Sequence, residues 1–271
     1  MIKQRIKIII LFILLLSIIV AGGYMYKRLE YNRQSFASDI YSCIPAQTKT
    51  VININKLRNI NQIISDSTLV KLANISHDMV SYPILICKND KGESLLLAKI
   101  NPEQETTIKA HIKTQTNSEF SVKERKSKNA EILFYPLSGD NFLVCTFYHG
   151  LMAISKSYKY IEDFTHSPTD SMPLEELIRN KQIIQTFQNY DISCFTKNNR
   201  NMLALAYNIT NDTIFAEGYA MLPDNSNDTL LIRSNIMQHI QSLPDSFCID
   251  NYQISTKENP ATVRFSLNKI H

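Results

Sequence analysis

The sequence predicts an α+β fold: an N-terminal transmembrane helix followed by a largely antiparallel sheet domain with interspersed helices. Three observations predict it. Residues 8–26 carry no charge and are mostly Ile, Leu, Val and Phe. Further along, short runs rich in Val, Ile, Phe and Tyr recur with turn residues between them. Helical spacing separates groups of these runs rather than single strands, an order that suits antiparallel hairpins better than a doubly wound parallel sheet.

The apolar run comes first. At a rise of about 1.5 Å per residue, residues 8–26 nearly cross a hydrocarbon layer of about 30 Å. Lys3, Arg5 and Lys7 precede it; Lys27, Arg28 and Arg33 follow, offset by Glu30. Positive residues stay on the cytoplasmic side, and the α-amino group together with Glu30 tips the balance toward N-terminus inside. The organisation predicted is a basic cytoplasmic tail at 1–7, a signal-anchor helix at 8–26, a juxtamembrane helical stalk at 27–44, and a soluble extracytoplasmic α+β domain at 45–271. Strands, helix, strands in each half hint at two similar lobes. A second reading of the N-terminus stays open: Ala21 and Gly23 have the small-residue spacing of a signal peptidase site, and cleavage near Gly23 would release the domain into the periplasm. The uncharged run continuing through Tyr24, Met25 and Tyr26 to Lys27 and Arg28 favours the uncleaved anchor.

Leu29, Phe36 and Ile40 fall near helical spacing along the stalk, which Pro45 ends. Residues 48–55 alternate as a strand around Val51. Leu57, Ile60, Ile63 and Ile64 return to helical spacing, and a second helix starts near Asp66 or Ser67, carrying Leu69, Leu72 and Ala73. Residues 83–87 and 94–100 form a hairpin across Asn89, Asp90, Lys91 and Gly92. Asn101 caps a helix with Pro102 at its first position, Glu103 and Glu105 in its first turn, and Ile108 and Ile112 inward. Strands follow at 119–124, 130–137, 142–148 and 151–155. Glu175 and Glu176 open a helix whose inner face is Leu174, Leu177, Ile178, Ile184 and Phe187. Strands at 192–196, 202–209, 213–221, 229–236 and 261–267 complete the chain.

The net charge of +4 does not describe the domain. Residues 1–33 hold six Lys or Arg against one Glu, a net of +5, so the remainder carries 23 basic and 24 acidic residues, a net of −1. That excludes the electrostatic footprint of a nucleic-acid binder. Outside the apolar run the glycines are Gly92, Gly139, Gly150 and Gly218, too scattered to build a phosphate cradle, so no nucleotide partner is expected. Cys43, Cys87, Cys145, Cys194 and Cys248 lie roughly fifty residues apart with no C-x-x-C. This is neither a zinc pattern nor a dense disulfide framework, and an odd count leaves at least one thiol unpaired.

No residue pattern marks a catalytic, cofactor or metal site. Ser266 and Lys269 have Ser-x-x-Lys spacing, which chance supplies in a chain this rich in both residues. His77, His111, His149, His166, His239 and His271 make no i, i+3 or i, i+4 pair. Glu162 with Asp163, and Glu175 with Glu176, project to different helix faces and read as solvated carboxylates rather than an acid–base pair. Lys123, Glu124, Arg125, Lys126 and Lys128 read as a charged hairpin tip between two strands, against a rival reading as a docking spot for anionic glycan or lipid headgroups. Glycosylation sequons begin at Asn74, Asn208, Asn211 and Asn227, about as many as this Asn content yields by chance.

Several segments together carry a resemblance. Ile44-Pro45-Ala46 followed by the 50–54 strand, the 151–155 strand ending in Ser155 before a Lys/Tyr-rich helix, and the 174–187 helix before Ile192 resemble a domain-of-unknown-function family of signal-anchored envelope proteins of Bacteroidota, over about residues 1–235. The resemblance implies a Gram-negative envelope location and supplies no catalytic residues. The expectation is a single-pass protein of the inner (cytoplasmic) membrane, held by residues 8–26. Its periplasmic domain would have a non-catalytic structural, scaffolding or protein-interaction role, an envelope protein as partner, and no cofactor. The alternative is a periplasmic module binding lipid or a small ligand. An enzyme with a site assembled from distant residues is the third reading.

Overall fold

The computed structural model describes residues 2–37, 39–57, 60–64, 66–76, 79–116, 120–127, 130–139, 141–148, 150–166, 183, 186–198, 201–210, 213–222, 228–244, 247–257 and 260–270. The first element, α1, is a single helix over Ile2–Ala37. Within it Ile10–Lys27 is long and apolar enough to cross a membrane, a test that a signal sequence near the N-terminus also passes. The helix runs on through residues 27–37 of the predicted stalk and ends at Ala37, short of the predicted end at 44. Asp39 turns the chain, its carboxylate accepting the Tyr41 N–H at 3.1 Å. Ile40–Cys43 is a separate 3-10 turn, and Ile40, Cys43 and Ile44 are buried against the sheet. The folded domain therefore includes residue 40, ahead of the predicted boundary at 45.

Twelve strands form one antiparallel sheet. They are β1 (Thr48–Ile54), β2 (Val80–Asn89), β3 (Ser94–Ile100), β4 (Lys123–Ser127), β5 (Ala130–Pro136), β6 (Phe142–Tyr148), β7 (Leu151–Ser155), β8 (Ile192–Asn198), β9 (Asn201–Ile209), β10 (Thr213–Met221), β11 (Phe247–Ser255) and β12 (Ala261–Lys269). Their order is β11-β12-β10-β9-β8-β1-β2-β3-β7-β6-β5-β4. On either side of the β1–β8 pair the chain runs out through three meandering strands, makes a helical excursion, and returns a strand to pair with the third. These return strands are β7 on β3 and β12 on β10. The excursions contain α3 (Glu105–Gln115) and α5 (Thr229–Gln241). Because β1 and β8 are antiparallel, a two-fold relating the halves would run normal to the sheet and leave both helices on one face. Ile108 and Ile112 of α3 and Ile232, Ile236 and Ile240 of α5 do share one apolar cluster.

Alternation along the strands divides the core in two. Ile52, Ile86, Cys194, Leu205 and Val263 point to the face covered by α2 (Ser67–Ser76), α3 and α5. Val51, Leu85, Cys87, Phe195 and Ala206 point to the other, covered by the 3-10 turn, α4 (Tyr158–His166), Ile183 and Phe187. Tyr160 of α4 is wholly buried there, and its hydroxyl shares a 2.9 Å hydrogen bond with Thr48.

Two predicted elements change, and one strand is added. Residues 229–236 are helix, not strand. Asp228 caps α5 by accepting the N–H groups of Leu230 and Leu231, and Ile232, Ile236 and Ile240 then recur every four residues inward. The basic run at Lys123 is itself the edge strand β4, not a hairpin tip, and four of its five residues are exposed. Arg125 lies 5.0 Å from the ring of Tyr158. β11 had no predicted counterpart. Its alternation breaks where Asn251 takes φ 51° and the register with β12 shifts between Asp250 and Gln253. Glu175, Glu176, Leu174, Leu177, Ile178 and Ile184 lie outside the described residues.

Candidate functional site

The helices of the two halves part above one end of the β1–β8 seam and leave a cleft of about 410 Å³. That lies within the range of about 300–1,000 Å³ typical of small-molecule sites. Its floor is the sheet itself: Ile52, Cys194 and Leu203, with Thr50 and Thr196 side by side across the seam at 3.3 Å between hydroxyls. Ile63, in the turn before α2, forms one wall. The other is a stripe of α5, Asn235, Gln238, His239 and Ser242, whose spacing of three and four places them on one helix face. The rim is the β2–β3 turn. There Asn89 accepts the N–H groups of Lys91 and Glu93 on its side-chain oxygen, and Gly92 takes φ 76°.

Lys88 is half-buried and shares the strand face of Ile86, so its stem runs along the cleft. It has no ion pair among the described residues. Asp90, Lys49 and Lys197 also border the opening; Lys49 and Asp90 are exposed.

His239 is held from the core side. The Tyr207 hydroxyl, on a wholly buried strand residue, is 2.6 Å from His239 Nε2, with the rings stacked at 6.3 Å. If Nε2 carried the proton, the phenol O–H would be buried without an acceptor. The favoured tautomer has Tyr207 donating to Nε2 and Nδ1 bearing the proton. Burial, helped by the nearby Lys88 charge, lowers the imidazole from its usual value to about 4. At neutral pH the ring is uncharged and offers one N–H.

Cys194 and His239 share the cleft, a combination that in other proteins yields an activated thiolate. Here burial pushes the Cys194 thiol up to about 11, with the Thr196 hydroxyl and Lys88 countering only in part. A protonated thiol beside a neutral imidazole is the reverse of the ion pair that nucleophilic activation requires. As built, the pair is a polar lining.

The structure disperses the other residues singled out by sequence. Ser266 and Lys269 sit three apart on β12, hence on opposite faces; the Ser266 hydroxyl donates to the Asp250 carbonyl at 3.2 Å. His111 is exposed on α3, and His166 Nδ1 bonds the Glu162 carbonyl at 2.8 Å. His77, His149, His271 and Lys128 lie outside the described residues. Glu162 accepts from the Tyr158 hydroxyl at 2.9 Å and Asp163 from Gln47 Nε2 at 2.7 Å, two separate tasks on two helix faces. Asn74 and Asn208 are exposed, on α2 and β9; Asn211 and Asn227 are not described. Cys43, Cys87, Cys145 and Cys194 are buried, and Cys248 on edge strand β11 is exposed. No group of three or more His, Cys, Asp or Glu able to hold a metal occurs among the described residues.

Sequence reasoning found none of the cleft residues as a group. Lys88, Cys194 and His239 come from β2, β8 and α5, and it is the β1–β8 pairing that brings Lys88 to the other two.

No family model matches the chain, and no curated protein matches it. Among solved structures, crystal form III of TP0453 is similar at 9% identity, over 85% of this chain and 94% of that one, with a TM-score of 0.49. Crystal form I of TP0453 is similar at 9% identity, over 86% and 92%, with a TM-score of 0.47.

Proposed function

We propose that this chain is a membrane-tethered, non-catalytic binding domain of the cell envelope, facing the periplasm, whose ligand site is the cleft over the β1–β8 seam. The cleft is the observation that carries the reading: a concave, largely apolar floor with a few convergent polar groups is the usual form of a small-ligand site. The apolar stretch of α1 and the resemblance to signal-anchored proteins supply the envelope setting. A protonated thiol and a neutral imidazole lining the same cleft support binding over chemistry at this position.

A protein partner is favoured by a different observation. On the opposite face, at the far end of the sheet, Phe215 is 53% exposed beside the Glu217–Arg264 ion pair, with Tyr190 donating to Glu217. An exposed aromatic with charged neighbours suits a modest protein contact.

Native mass spectrometry of full-length protein released from its own membranes tests the cleft. The expected result is a bound small molecule with the natural sequence and none with Leu203→Trp, which fills the cleft. No adduct on either protein, or turnover of a peptidoglycan, glycan or lipid substrate, would refute the reading. A C-terminal tag cut by protease only after the outer envelope is opened is expected for the topology. Persistent protection would place the domain in the cytoplasm.

A further inference from the structure

Resting on the cleft as the binding site, we propose that its ligand is a single-chain amphiphile with a monoanionic head, of the carboxylate class, its head held at Lys88 and its tail along the floor. Three features argue for the head. Lys88 places an ammonium at the mouth of an apolar cleft with no ion-pair partner among the described residues, and a half-buried cation gains most from an anion that shares its desolvated site. The Thr50 and Thr196 hydroxyls, hydrogen-bonded to each other at 3.3 Å on the same strand face as Lys88, leave one rotatable O–H donor beside it. His239 offers an N–H on the opposite wall because Tyr207 occupies its other nitrogen.

Two features argue for the rest of the molecule. Asp90 at the rim opposes a second negative charge, so a singly charged carboxylate suits the site better than a dianionic phosphate monoester. Beyond the polar cluster the floor and facing wall turn to Ile52, Ile63, Leu203 and Leu243, side chains that reward an unbranched hydrocarbon.

The test uses full-length protein in lipid nanodiscs, with decanoic acid carrying a diazirine in its chain and the matching alcohol as photoprobes. Labelled positions are mapped by peptide mass spectrometry. The acid is expected to label peptides of β9 and α5 about tenfold more than the alcohol does. Lys88→Met should reduce acid labelling to the alcohol level, whereas Lys123→Met, on the remote edge strand, should not. Circular dichroism confirms that each variant is folded. Equal labelling by acid and alcohol that Leu203→Trp abolishes would overturn the anionic head and leave the cleft as a binding site. Absence of cleft labelling by either probe would overturn both. Decyl phosphate competing more strongly than decanoate would overturn the monoanion.

Discussion

Tyr207 and His239 are joined by a 2.6 Å hydrogen bond between a strand side chain with no solvent exposure and a helix side chain on the cleft wall. The bond ties α5 to the sheet and fixes which nitrogen the imidazole turns outward. It works only while the ring is neutral, since an imidazolium has no acceptor for the phenol proton.

That requirement makes stability pH-dependent with a defined sign. The folded-state value of His239 lies near 4, below the ordinary 6.5 of the unfolded chain. Its contribution is thus complete above about pH 6.5 and is lost as pH falls toward about 4, where the unfolded state binds the extra proton. The shift corresponds to about 3 kcal/mol, reduced to about 2 kcal/mol because the ring is partly exposed to screening solvent. Denaturant titrations across that window should show a steeper loss in the natural protein than in His239→Gln. An imidazole resonance titrating near 6.5 would contradict the assignment.

Gly218 lies in β10 opposite Leu205 of β9. A Cβ there would fall on the Ala204 carbonyl oxygen and lie 2.9 Å from Leu205 Cα, both rigid backbone positions. Gly218→Ala should destabilise the domain by about 3 kcal/mol. Thermal unfolding of the variant gives the value, and a melting temperature unchanged from the natural protein would contradict the close approach.

Asp191 precedes β8 and serves both neighbours of the seam. Its buried carboxylate accepts the Ile209 N–H at 3.2 Å and lies 3.6 Å from Lys56 Nζ, while its carbonyl accepts the N–H groups of Asn55 and Lys56. Asp191→Ala strands the Ile209 N–H and should cost about 2 kcal/mol; Asp191→Asn, which keeps an acceptor, should cost about 1 kcal/mol or less. Since Lys56 is largely exposed, most of the loss belongs to the hydrogen bond. Equal losses for the two variants would assign it to the charge instead.

Local patterns carried much of this architecture into the sequence. The alternation at Val51, the turn at Asn89 to Gly92 and the cap at Asn101 are physical signals confined to a few residues, and the structure places elements at all three. Residues 229–236 misled because Leu and Ile serve strands and buried helices alike, so a short window favoured β. The decisive cues are the Asp228 cap and the recurrence of Ile every four residues out to Ile240, which lies beyond that window. β11 was hidden by the bulge at Asn251, which interrupts the two-residue period. The cleft was illegible for another reason. Lys88 and His239 are strangers along the chain, and their approach depends on strand order, which no local window encodes.

The β1–β8 pairing also sets a timetable for biosynthesis. Every other strand contact joins segments within one half, but β1 must wait for β8, about 140 residues later. At about 5–20 residues per second, a ribosome takes on the order of ten seconds to supply it. Throughout that interval the nascent first half displays the open hydrogen-bonding edge of β1, flanked by Val51, Ile52 and Ile54, to every other nascent copy nearby. The same edge that builds the cleft in the finished protein is the place where two unfinished chains would join.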